Sequence, residues 1–301
     1  MNINERTEFE LQCGPFSVTF GSRTLIMGIL NITPDSFSDG SLYFDKEDAV
    51  PHGEALAAAG ADIIDIGGES SRPFSRPVPA EEEIRRVVPV IEDLSRRLSV
   101  PISIDTTKAQ VAARALEAGA VIVNDIGALR FDSAMADLVA DADVPVVLMH
   151  MKGTPKTMQI SPQYEDVVGE VRAFLAHAIH RAGEAGINRN KIIVDPGIGF
   201  GKTVTHNLCL IKDLWALQSL GVPVLIGPSR KSFISKLLGS GDERRKAGTQ
   251  AVVSAAALNG AHIVRVHDVE GTRETLKLVD AIRNAGRVHD HLPVSPPKAI
   301  L

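Results

Sequence analysis

Short β-branched apolar runs recur along the chain. Each is followed by a break rich in Gly, Asp and Asn, and then by an amphipathic stretch rich in Ala, Leu, Glu and Arg. The runs cover 25–30, 63–66, 102–104, 121–123, 146–149, 192–194, 224–226 and 263–266. Nearly continuous hydrophobicity marks strands covered on both faces, and the stretches between them have helical periodicity. Gly60, Gly119, Gly186, Gly221 and Gly260 stand just ahead of several runs, where a left-handed residue ends the preceding helix. The pattern therefore predicts eight βα units. Eight units point to a closed barrel rather than an open sheet, so the expected fold is α/β, a single (β/α)8 TIM barrel.

Residues 9–20, FELQCGPFSVTF, predict a β-hairpin turning at Gly14-Pro15, a structural element expected to close the barrel floor. The division that follows is an N-terminal hairpin extension over 1–22, the barrel over 23–288 and a Pro-rich, aperiodic tail over 289–301. Glu81, Glu82 and Glu83 follow Pro79 at the first turn of a predicted helix, where they complement its dipole.

The 301 residues are 44% hydrophobic and 23% charged, enough for one large core. Lys plus Arg number 32 against 37 Asp plus Glu, a net charge of -5 that offers no polycation for nucleic acid. Small-molecule partners are expected. Cys13 and Cys209 suggest neither a disulfide framework nor a zinc site, and no window approaches the ~18 apolar residues of a membrane span. The expected location is the cytoplasm.

Chemistry on such a barrel gathers at the C-terminal ends of the strands. There the sequence places Asn31; Glu69, Ser70, Ser71 and Arg72; Asp105; Asn124; His150; Asp195; Ser229, Arg230 and Lys231; and Arg265 with His267. A polar turn residue after any one strand needs no explanation, but a ring of acids, amides, histidines and cations suits an anionic, hydrogen-bonding small molecule. The segment 197–203, GIGFGKT, resembles a phosphate loop, but Pro196 stands where the motif needs glycine. It reads instead as a barrel loop whose glycines let the backbone approach a ligand. His177 and His180 share one helix face with no third ligand nearby and read as solvated.

At these strand ends the chain resembles the dihydropteroate synthase family, from about residue 25 to residue 285. The likeness is carried by MGILNITPDSFSDG (27–40), DIGGESSRP (65–73), ISIDT (102–106), VNDI (123–126), LMHMKGTPKTMQ (148–159), DPGIGFGKT (195–203), GPSRKSFI (227–234) and RVHD (265–268). It departs from the family's usual pattern at Ser41 and Phe74, where glycine is common, and at Ile198, where Phe is. The resemblance implies a magnesium-dependent transferase that joins a dihydropterin methyl diphosphate to 4-aminobenzoate, binds sulfonamides and forms a homodimer.

A pterin presents a ring N–H beside an exocyclic amine, a donor pair that one carboxylate accepts as a fork. Asp195 is the expected acceptor. The resemblance implies that Asn124, Asp105, Lys231 and Arg265 complete the pterin site, and that Asp105, Lys231, Arg265 and His267 carry the catalysis. It further implies diphosphate contacts from Asn31, Ser71, Arg72, Arg265 and His267, with Asn31 as magnesium ligand. For 4-aminobenzoate it implies Phe37, Ser71, Pro73, Phe200, Lys231 and Ser232. The loops NITPDSFSDG and GESSRPFSRPV are expected to close over the site, giving sequential binding. Two other functions are compatible with the same barrel: a pterin- or folate-binding methyltransferase, which has no use for the SRK and RVHD cations, and a non-catalytic pterin-binding paralogue.

Overall fold

The computed structural model describes residues 6–33, 46–70 and 77–285. Phe37, Ser71, Arg72, Pro73 and the segment 289–301 lie outside them. Strands β1 (Phe9–Cys13) and β2 (Phe16–Phe20) form the expected antiparallel hairpin, in register from Phe9↔Phe20 to Cys13↔Phe16. Eight parallel strands follow: β3 (Leu25–Asn31), β4 (Ile63–Gly67), β5 (Ile102–Asp105), β6 (Ile122–Asp125), β7 (Val146–Met149), β8 (Ile192–Asp195), β9 (Leu225–Ile226) and β10 (Ile263–Val266). Their order is β8-β7-β6-β5-β4-β3-β10-β9, and a parallel bridge between Val194 and Val224 closes the ring.

Strand alternation sorts every side chain to one of two faces. Ile26, Ile64, Ile66, Ile104, Val123, Leu148, Val194 and Val264 face outward into the core shared with the helices. Met27, Ile63, Ile122, Val147, Ile193, Leu225 and Ile263 face inward, and Leu11, Cys13 and Phe20 of the hairpin pack beneath them. The barrel floor is thus an apolar plug, closed by the hairpin as expected.

The outer layer comprises α1 (Lys46–Ala59), α2 (Ala80–Arg97), α3 (Ala109–Glu117), α4 (Met135–Asp141), α5 (Val167–Glu184), α6 (Val204–Lys212), α7 (Ser232–Leu238), α8 (Asp242–Leu258) and α9 (Val269–Asn284). Val87, Val90, Ile91 and Leu94 form the buried stripe of α2 at helical spacing. Positive φ occurs at all five helix-ending glycines named above. His177 is exposed, and Cys209 and the buried Cys13 are free thiols. No helix among the described residues is long and apolar enough to cross a membrane.

Candidate active site

One step up each strand from the inward apolar layer, the same face continues as Asp65 after Ile63, Asn124 after Ile122, Asp195 after Ile193 and Arg265 after Ile263. A two-residue period thus turns an apolar plug into a polar cup within one pleat. Asp105, Asn124, Met149, Asp195, Phe200, Lys231 and Arg265 line this cavity together, with Ile198 in its wall. The five residues expected to hold a pterin are therefore brought to one place.

Arg265 organises the floor. Its Nε donates to Asp65 Oδ2 at 2.5 Å and one terminal nitrogen donates to Asp105 Oδ2 at 2.7 Å. Asp65 Oδ2 also accepts from Asn124 Nδ2 at 3.0 Å. With its amino group engaged below, Asn124 offers its carbonyl oxygen to the cavity. Asp195 Oδ1 accepts from the Gly197 N–H at 2.7 Å, which leaves its second oxygen for a ligand. Lys231 Nζ sits 4.2 Å from the centroid of Phe200, whose ring packs on Met149, Met151 and Met158.

Burial sets the electrostatics of the cup. It pushes Asp105 up to about 7, against the pull of Arg265, and Asp195 up to about 6, against the Gly197 N–H and Lys231. Lys231 is pushed down to about 8 by burial and by repulsion from Arg265. Burial also opposes the charge of Arg265, but Asp65 and Asp105 hold it above the usual guanidinium range. Asp105, Asp195 and Lys231 are thus all shifted toward neutrality, as groups in a reaction site commonly are.

A second polar group lies at the rim. Ser229 Oγ is 2.9 Å from His267 Nδ1 and accepts from the His267 backbone N–H at 3.3 Å, while Asn31 Nδ2 stands 3.5 Å from His267 Nε2. Arg230, between Ser229 and Lys231, has φ 56, a left-handed conformation uncommon outside glycine and typical of constrained functional turns. Ser232 is exposed at the start of α7. Phe37, Ser71, Arg72 and Pro73 are not among the described residues.

Three features depart from the sequence reading. Two glycines of the 197–201 loop make room for backbone: at Gly197 (φ +68) a Cβ would lie 1.9 Å from the His150 carbonyl oxygen, and at Gly201 (φ +64) 2.7 Å from that of Lys152, while Gly199 makes room for the Lys231 side chain. Glu83 does more than complement a helix dipole. It is fully buried and accepts from Lys108 Nζ at 2.5 Å, and Lys108 also pairs with Glu69 at 2.5 Å. His150, at a strand end, is engaged with Lys202 instead of lining the cavity.

Asp65 is the functional residue that sequence reasoning overlooked. Its signal was present: an aspartate inside the apolar run IIDIG, two positions past an inward isoleucine, has to face the barrel interior. A buried carboxylate there requires a cationic partner.

Comparison with known proteins agrees with this geometry. The family described as pterin binding enzyme matches residues 27–267. The dihydropteroate synthase of Escherichia coli strain K12 is 46% identical over 260 residues, which cover 86% of this chain and 92% of the relative. The solved structure of the Xanthomonas albilineans dihydropteroate synthase with 4-aminobenzoic acid is 47% identical with a TM-score of 0.86, covering 92% of this chain and 99% of that one. That of the Yersinia pestis enzyme with a sulfonamide drug complex is 44% identical with a TM-score of 0.87, covering 92% and 100%. The chain therefore belongs to the dihydropteroate synthase family of pterin-binding enzymes.

Proposed function

We propose that the cup captures a 7,8-dihydropterin bearing a methyl diphosphate and presents its methylene carbon to 4-aminobenzoate. The observation that carries this assignment is the division of the floor: acceptors on Asp195, Asn124 and Asp105, donors on Lys231 and Arg265. Asp195 takes the N–H pair of the pyrimidine edge as a fork, one donor on its free oxygen and one on the oxygen it shares with the Gly197 N–H, Asn124 adds an acceptor, and Lys231 donates to the ring oxygen and N5. Arg265, planar and fixed by two carboxylates, faces ring and diphosphate together.

In the reaction the carbon–oxygen bond from the methylene to diphosphate breaks and a carbon–nitrogen bond to the arylamine forms. The electron pair leaves with diphosphate, and the new anilinium gives its proton to water. Arg265 and His267 stabilise the departing charge, and the nearby Asp105 carboxylate stabilises a cationic methylene. Magnesium fits the donors present. Asn31 would hold the ion through its amide oxygen at the rim beside His267, and the ion when bound would neutralise charge on the leaving group. Phe200, Lys231 and Ser232 are assigned to the arylamine. A sulfonamide occupies the same position.

We also assign the enzyme to the cytoplasm, in keeping with two free cysteines. Assembly as a homodimer through outer helices is supported by the exposed Leu258 on α8 and Leu278 and Ile282 on α9. The function is tested by a coupled assay of diphosphate release from the pterin ester. Release that depends on added 4-aminobenzoate is expected, and release that ignores it excludes the transfer.

Affinity for a pterin lacking the diphosphate is expected to follow a bell-shaped pH profile. Asp195 and Asp105 present two acceptor oxygens and a negative charge only when ionised, so affinity falls as the pH drops through about 7 and then about 6. Lys231 donates best as an ammonium, so affinity falls again as the pH rises through about 8. Calorimetric titrations from pH ~5 to ~9 measure this directly. A flat profile contradicts the assigned roles.

A further inference from the structure

The Gly-Lys-Thr triplet at 201–203 carries a buried amine, pushed down to about 7 by burial, that the proposed chemistry leaves unused. Lys202 is 3% exposed, and no salt bridge to it occurs among the described residues. Its Nζ has four acceptors instead: His150 Nδ1 at 2.9 Å, the Gly197 and Phe200 carbonyls each at 2.9 Å, and the His150 carbonyl at 3.4 Å. Two of these belong to the loop that follows β8 and two to the residue that follows β7.

The loop between Asp195 and Lys202 bears directly on the cup. Gly197 N–H holds one oxygen of Asp195, and Phe200 supports Lys231 from below. The loop packs backbone to backbone against the 150–152 segment, and its Gly197 and Phe200 carbonyls accept from the buried Lys202 Nζ. Carbonyls so placed need donors, and the Lys202 amino group supplies them. His150 is suited to the pairing, since burial and the cation beside it hold its imidazole neutral, pushed down to about 2, which keeps the Nδ1 lone pair available. Its ring is fixed edge-on against Phe174, with centroids 4.8 Å apart.

We infer that Lys202 is a positioning residue for pterin capture: by tying the 197–200 loop to the end of β7 it sets the orientation of the Asp195 carboxylate and the Phe200 ring without itself touching the ligand. The inference rests on the pterin assignment given under Proposed function. The false resemblance to a phosphate loop then has a physical meaning, because the lysine of the triplet serves backbone carbonyls and no phosphate.

The test is calorimetry on the full chain with two probes, a pterin lacking the diphosphate and inorganic diphosphate with magnesium. Lys202→Met keeps the aliphatic stem and removes every donor. It is expected to weaken the pterin about tenfold or more and diphosphate by no more than about twofold. The amide resonance of Gly197, which reports its bond to Asp195, is expected to shift in the ligand-free variant. His150→Gln, which restores a side-chain acceptor, is expected to stay within about threefold of wild type, while His150→Leu loses about fivefold or more. Equal weakening of both probes in folded Lys202→Met makes the lysine a general support of the fold and overturns the inference, as does unchanged pterin affinity. If Lys202→Met does not fold, the two His150 variants decide: equal affinities overturn the clamp. Failure of the wild-type chain to bind pterin instead removes the functional assignment, while the Gly197 resonance still reports on the clamp.

Discussion

Asp195→Asn is expected to lose pterin binding by about 3 kcal/mol, on the order of a hundredfold in Kd, with little change in fold. The substitution is nearly isosteric, and the oxygen that accepts from Gly197 N–H is retained. The oxygen offered to the ligand becomes an amino group or, if the amide turns over, the Gly197 contact is lost. Either way a donor meets a donor in a cavity that water does not freely enter, and the charge that strengthens both bonds to the ligand is gone. Ionised Asp195 is already disfavoured by burial, so the unliganded variant is expected to match or exceed wild type in thermal stability. Calorimetry and thermal unfolding read the two effects separately. Unchanged pterin affinity would remove Asp195 from its assigned place.

Asp65→Asn is expected to act on both stability and binding. Asp65 is fully buried and its Oδ2 serves Arg265 Nε and Asn124 Nδ2 at once. Removing its charge leaves Arg265 with Asp105 alone, and breaking one side of a buried ion pair costs about 3–5 kcal/mol because the remaining charge is poorly compensated. Freed from below, Asn124 and Arg265 lose the orientations that face the ring, so pterin affinity falls together with the unfolding midpoint. A double-mutant cycle identifies the cause. Asp65→Asn with Arg265→Gln is expected to be more stable than the sum of the two single losses by at least about 1 kcal/mol, since no unpaired cation remains. Strict additivity would show that Asp65 does not act through Arg265.

Much of this arrangement is legible in the amino-acid order because a parallel barrel repeats one rule. Apolar runs buried on both faces mark the strands, and the polar residue closing each run marks the mouth. The structure places Asn31, Asp105 and Asp195 as the last residues of β3, β5 and β8, one position inside the strands rather than beyond them. That shift matters, since a side chain within the ladder has its face fixed by the pleat, whereas one in a turn does not. The hairpin was equally legible: Leu11, Cys13 and Phe20 keep the inward parity that seats them under the barrel.

What the amino-acid order determined by itself was periodicity: which runs are strand and which polar residues close them at the mouth of the barrel. Partnership was decided only by the closed barrel. Arg265 meets Asp65 and Asp105 across 200 and 160 positions of sequence because β10 pairs β3 and β3 pairs β4 around the ring. Lys202 meets His150 because β7 and β8 are neighbours whose following segments pack backbone to backbone. A local pattern records the environment of one residue along its own strand. Ion pairing and loop clamping depend on which strands closure makes adjacent and on how far a side chain reaches between them, quantities that exist only once the barrel has formed.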